Sequence, residues 1–214
     1  MLKRLLTPLV MFFALTTFAQ KKETASDPEK RTDFLLSYTV KTKDGERLGY
    51  KNRHGKVVIP AQYFSGFEPD TLYEHTFVSG KNGVQGIDRT GKVILIPFIY
   101  DNGPDYPQEG LFRFVENNKI GFADLNWKKV IPAAFDFAEP FKGGITKYTL
   151  GGHKVMDGEH WYWTGGYEEG YINQWQQRFS KVTGLKAGKR EAWTKEGKHV
   201  LLNQTGKIIK VFPM

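Results

Sequence analysis

The chain has 214 residues, 40% hydrophobic and 14% aromatic, enough apolar surface for a folded core and too much for a disordered polymer. Its formal charge is +8 and it has no cysteine, which excludes disulfides, a thiol nucleophile and a lipid-modified N-terminal cysteine. The 23 glycines and ten prolines stand singly between short apolar runs, a distribution that predicts many tight turns and an all-β fold.

Residues 1–19 read as a signal peptide: Lys3 and Arg4, then the apolar run LLTPLVMFFALTTF, then Ala19 before Gln20. The run is interrupted by Pro8 and is too short to cross about 30 Å of hydrocarbon as a helix. Cleavage near Ala19-Gln20 predicts an exported chain, periplasmic or extracellular, without a transmembrane segment in its mature form. The leader resembles those of Gram-negative bacteria. Removing residues 1–19 lowers the formal charge from +8 to +6. Residues 20–33, QKKETASDPEKRTD, have nothing to bury and are expected to be a flexible linker. A first strand is predicted at FLLSYTV, with Phe34, Leu36, Tyr38 and Val40 on one face.

From residue 44 the chain repeats itself. DGERLGYKNRHGKVVIPAQYF (44–64), KNGVQGIDRTGKVILIPFIYD (81–101) and ENNKIGFADLNWKKVIPAAFD (116–136) place Pro60, Pro97 and Pro132 37 and then 35 residues apart. Asp44-Gly45, Asn82-Gly83 and Asn117-Asn118 are residues that accept positive φ in a tight turn. A strand with Gly49, Gly86 or Gly121 follows, then a second turn (RHG, RTG or LNW), then an apolar strand ending at the proline, which is expected to end the pairing because it lacks an N–H. Such a unit cannot cover its own apolar face, so neighbours must stack.

These copies resemble the WG (KWG) repeat of bacterial proteins, whose pattern runs approximately G-L-A-x-V, N-G-K-W-G-Y-I-D-x-x-G-K-x-V-I-P, then an aromatic and Asp. The third copy fits best, keeping Gly110, Leu111, Val115, Asn118, Lys119, Gly121, Asp124, Ile131, Pro132 and Asp136. The signature tryptophan is replaced by Leu48, by Val84 or Gln85, and by Ile120. The resemblance covers residues 44–145, with an echo in EGKHVLLNQTGKIIKV at the C-terminus. It implies an interaction or structural repeat and carries no catalytic residue set. The array is placed at 34–145, with 146–214 as a diverged repeat or meander that caps it. An open solenoid-like array is expected, with a propeller-like closure as the alternative.

The pattern breaks at DGEHWYWTGGYEEGYINQW, residues 157–175. Trp161, Trp163, Tyr167, Tyr171 and Trp175 with Glu159 and Glu168 form the candidate ligand-binding set, because flat rings beside carboxylates can stack and hydrogen-bond a sugar. The competing reading is structural packing, in which Trp161 and Trp163 share one strand face. No catalytic residue, cofactor or metal is predicted. His54, His75, His153, His160 and His199 have no ligand spacing and read as surface histidines. Asp101, Asn102 and Asp105 in DNGPD read as a turn ahead of a calcium loop. The eight Lys or Arg from Lys181 onward, against Glu191 and Glu196, read as protection of sheet edges, with nucleic acid disfavoured.

The expected function is an exported binding or structural scaffold module without catalysis. Its partner is expected to be a protein or cell-envelope polymer. The alternative is a carbohydrate-binding or weakly hydrolytic protein using residues 157–175.

Overall fold

The computed structural model describes residues 33–66, 69–100, 103–158 and 160–213. The expected signal peptide, residues 20–32 of the expected linker, Asp101, Asn102 and Glu159 lie outside the described residues.

All regular structure among the described residues is β, and it follows one plan. A unit is an antiparallel meander of three strands. The first is β1 (Leu35–Thr42), β2 (Gly45–Asn52) and β3 (Val57–Phe64), after which β4 (Thr71–Leu72) returns to β1. The second is β5 (His75–Gly80), β6 (Gly83–Asp88) and β7 (Val93–Pro97), followed by the small pair β8 (Ile99–Tyr100) and β9 (Gly103–Pro104). The third is β10 (Leu111–Glu116), β11 (Lys119–Asp124) and β12 (Lys129–Phe135), followed by β13 (Phe137–Ala138). The plan continues beyond the three clear copies: β14 (Ile145–Asp157), β15 (His160–Asn173) and β16 (Arg178–Val182) form a fourth meander, and β17 (Lys189–Thr194), β18 (His199–Asn203) and β19 (Ile208–Val211) a fifth.

The first three units share a ten-stranded sheet in the order β12-β11-β10-β7-β6-β5-β3-β2-β1-β4, and β13 to β19 form a seven-stranded one in chain order; neither closes into a barrel. The seams are narrow. Phe64 opposite Ser79 joins the first unit to the second, and Phe114 and Val115 opposite Pro97 and Ile96 join the second to the third. Packing couples the units more strongly than these ladders do. Leu48, Tyr50 and Ile59 of the first unit pack with Val78 and Ile87 of the second; Leu95 packs with Phe112 and Phe114; Phe122, Ile131 and Phe135 pack with Tyr148 and Ile172; Ile145 and Phe179 pack with Ala192, Val200 and Leu202. Every apolar cluster draws on two successive units, so no unit encloses a core alone. Each fully buried side chain contributes about 1.5–3 kcal/mol, and part of that gain is absent until a neighbour arrives.

The turn between the second and third strands is the same in all five units. Its first residue is Asn52, Asp88, Asp124, Asn173 or Asn203, and the side-chain Oδ1 accepts the backbone N–H groups two and four residues on at 2.8–3.1 Å. The fourth residue has positive φ: Gly55 (82°), Gly91 (85°), Trp127 (62°), Gln176 (62°) and Gly206 (83°). This is an Asx turn, in which a short acceptor side chain satisfies donors that the reversal would orphan. Two units place a non-glycine residue in the left-handed region, so the lock tolerates backbone strain that glycine would relieve.

One expectation requires correction. Pro60 and Pro132 do not end the pairing: β3 and β12 run through them and stop at Phe64 and Phe135. The ladder skips from Tyr50–Ile59 to Leu48–Tyr63, and from Phe122–Ile131 to Ile120–Phe135, so each proline sits in a bulge where no N–H is required. Gly49 and Gly121 face those bulges, and a Cβ on either would lie 2.6 Å from the carbonyl oxygen of Ile59 or Ile131. In β1 Leu35 is buried while Leu36 and Val40 are exposed.

Removing the turn oxygens sets a graded test. Asn52→Ala is expected to cost about 1–2 kcal/mol for two lost acceptor contacts. Asn173 is fully buried, and its Nδ2 also donates to Gln177 Oε1 (2.8 Å) and to the Gly206 carbonyl (2.9 Å). Asn173→Ala is therefore expected to cost about 2–4 kcal/mol by urea unfolding; equal losses for the two variants would contradict this ranking.

Candidate functional site

In the third unit β10 and β11 are joined by Asn117-Asn118, both at positive φ (51° and 60°), with Glu116 opposite Lys119. The fourth unit has the same register: Gly144 precedes β14 as Gly110 precedes β10, and Leu150 lies opposite Glu168. Residues 151–167 occupy the place of the two asparagines. The sequence break is therefore an extension of one hairpin, grown from a turn inside an otherwise complete unit.

The extension bends at its foot. Gly151, Gly152 and Gly165 have positive φ (75°, 68° and 88°), and the register shifts between Gly151 and His153. A Cβ on Gly152 would lie 2.6 Å from Trp163 Nε1 and 2.7 Å from the Thr164 carbonyl oxygen, so this bulge needs glycine. Asp136 anchors the foot, accepting the Gly151 N–H on Oδ2 (2.8 Å) and the Lys119 ammonium on Oδ1 (2.6 Å).

The candidate side chains divide into three groups. Trp161 and Trp163 share a face of the extension, opposite Met156 and Lys154. Their rings meet Phe137 of β13 at 5.1 Å and 6.1 Å between centroids, Trp163 Nε1 donates to the Gly151 carbonyl (2.9 Å), and Lys154 Nζ lies 5.0 Å over the Trp161 ring. Trp161 remains 43% exposed. Tyr167 sits opposite Gly151 and is exposed, while Glu168 is paired with Lys195 of the fifth unit, whose ammonium holds the carboxyl below the usual range. Tyr171 lies at the base of the hairpin, packed against the fourth and fifth units' core. Trp175 is elsewhere, exposed in the Asx turn after β15. The set is thus not one site: the two tryptophans are together, and the other rings follow the hairpin down to its base. Tyr162 and Met156, not in the set, are 52% and 58% exposed on the extension.

The tryptophan that serves the repeats is Trp127, at the positive-φ position of the third Asx turn. It reaches back to the second unit and stacks on His75 (4.3 Å, 18°) and Phe77 (4.3 Å, 27°), with Phe112 at its edge. Gly86 makes room, since a Cβ there would lie 2.4 Å from the indole. His75 is consequently not a surface histidine. Burial holds its imidazole below the ordinary value, against the opposing influence of Glu74 and Asp124. His199 is likewise sandwiched, between Trp193 (4.7 Å) and Phe212 (4.2 Å), whereas His54, His153 and His160 are exposed.

Asp105, read from sequence within a turn, is the buried partner of Arg113. Its carboxylate accepts Nε (2.8 Å) and Nη2 (2.7 Å), the Arg113 Nη1 donates to the Ala138 carbonyl (2.9 Å), and the guanidinium lies 4.2 Å over Phe98. The pair forms part of a cleft of about 650 Å³ bounded by Tyr100, Tyr106, Phe137 and Phe141. The available signal was the arginine itself, since a charge inside LFRFV demands a buried partner. No group of three or more metal-ligating side chains occurs among the described residues.

Trp127→Ala is expected to cost about 2–3 kcal/mol, less than a fully buried tryptophan because this ring is half-exposed. His75 adds a pH dependence of definite sign. Its folded pKa is lowered, so the unfolded chain binds the proton more readily, and stability present above about pH 6.5 declines as pH falls toward the folded value. His75→Phe should flatten that part of the melting-temperature profile; an unchanged slope would rule out His75 as its source.

A family model of the WG containing repeat matches residues 49–63, 87–119 and 120–152, and its last match stops at Gly152, the bend of the extended hairpin. No curated protein matches the chain. The matched stretches cover 81 of the 214 residues, and each contains one of the Asx turns and prolines described above, so residues 49–152 carry repeats similar to the WG containing repeat.

Proposed function

We propose that the protein is an exported, non-catalytic binding module whose repeats form an open side-by-side array and whose working surface is the hairpin of residues 151–167. Its partner is a protein or polymer of the cell envelope. The observation that carries this reading is the replacement of a two-residue turn by a projecting hairpin whose Met156, Trp161, Tyr162 and Tyr167 are exposed. A segment that adds exposed rings without adding core is poorly explained by stability and well explained by contact with something else. The leader at residues 1–19 supports export, and the lack of cysteine makes the fold independent of redox conditions.

Glycan recognition is the second reading, favoured by the exposed rings of Trp161 and Tyr167. It ranks lower because Lys154 covers one face of Trp161 and Phe137 meets its edge, leaving less flat surface for a sugar.

Replacing residues 151–167 by Asn-Asn reproduces the third unit's turn. Residues 20–214 with and without this change would be compared by urea unfolding and by co-sedimentation with isolated cell envelopes. The trimmed chain is expected to unfold within about 2 kcal/mol of the parent and to lose retention. Undiminished retention would refute the hairpin as the binding surface. Loss of retention from envelopes stripped of protein, reversed by free glycan, would favour the second reading.

A further inference from the structure

A second site lies at the foot of the hairpin, on residues that the binding reading above does not use. A cleft of about 410 Å³ opens between the segment after β13 and strands β16 and β17. Arg190, Lys142 and Lys147 line it, with Tyr171, Val182 and Leu185 as apolar wall.

The position of Arg190 is unusual. A guanidinium has five N–H donors in a fixed fork, and when partly buried it is ordinarily matched to a carboxylate. Here Nε is fully buried and makes no hydrogen bond among the described residues. The group lies against the turn before β14, so that a Cβ on Gly143 would be 2.3 Å from Nη2. The carboxylate that acts on it electrostatically is Glu109, whose oxygens already accept the Gly143 N–H (2.5 Å) and the Gly144 N–H (2.8 Å). Burial depresses the pKa of Arg190, the signature of a cation short of compensation.

Two further cations line the cleft. Lys147 is paired with Glu169 at 2.8 Å, and Lys142 makes no ion pair among the described residues. Glu139 is the carboxylate in the lining. Glu139 and Glu109 match Arg190 and Lys142 in number, but Glu109 already accepts two backbone N–H groups, and among the described residues neither cation has a hydrogen-bonded carboxylate.

We infer that this cleft is an oxyanion site, in which Arg190 takes a carboxylate or phosphate group, Lys142 adds charge at the rim, and Val182, Leu185 and Tyr171 contact an apolar body attached to it. The ligand class is an organic anion with an apolar portion. A planar carboxylate matches the fork of Arg190, and displacement of water from the apolar wall adds to the affinity. The site is separate from the exposed rings of the extension, so its presence does not depend on what the hairpin binds.

The test follows the arginine Nε–H resonances of the folded mature chain by ¹H–¹⁵N NMR, with the Arg190 signal assigned by its absence in Arg190→Gln. Acetate, benzoate and inorganic phosphate are titrated separately at ionic strength held constant with chloride. A saturable shift of the Arg190 signal is expected with each oxyanion, tighter for benzoate than for acetate. Lys142→Gln, an exposed rim substitution that keeps the fold, should weaken it about two- to fivefold. Shifts no larger than those in chloride alone would overturn the site, as would undiminished backbone shifts around Gly143 and Val182 in Arg190→Gln. Equal binding of acetate and benzoate would remove the apolar half of the assignment.

Discussion

One hydrogen-bonding device underlies the architecture: an Asn or Asp oxygen that gathers two backbone N–H groups at the turn between the second and third strands. It forces the fourth turn residue to positive φ, and that residue is also where each unit meets the one before it. Gly91 abuts Ile59, Trp127 stacks on His75 and Phe77, Gln176 donates to the Val130 carbonyl at 3.2 Å, and Gly206 takes the amide of Asn173. The element that ends one hairpin therefore docks it on its neighbour. Because the apolar clusters also straddle units, local turn chemistry and long-range packing depend on the same few positions.

That dependence explains what was legible in the sequence. The Asp-x-x-Gly-Lys and Asn-Gly spacings are local, so repeats, turns and β class could be read directly. The fourth and fifth units were harder to see because Gln176 stands where the pattern has glycine and because the extension separates strands that should be close. The role of Pro60 and Pro132 was misread, since a missing N–H ends a regular ladder but is harmless in a bulge.

The break in the pattern at residues 157–175 could be read in the sequence, whereas the placement of its rings could not. Tyr171 and Trp175 are near the other rings in sequence and distant from them along the hairpin and turn. Arg113 with Asp105, and Arg190, whose buried Nε has no hydrogen-bond partner among the described residues, are visible only after folding, since partnership between charges is a matter of distance and burial. Basic residues of the last two units sit partly on rings, Lys181 over Trp193 and Lys210 over Phe212, which ties that charge to the sheet surface.

The central claim is a division of labour between locked turns and a hairpin that the core does not require. Native-state hydrogen exchange tests it most directly. The N–H groups of Lys92, Lys128, Gln177 and Lys207, held by Asx oxygens, should exchange as slowly as the central strands, while those of residues 153–164 open locally and exchange much faster. Protection of the hairpin equal to that of the core would contradict the account.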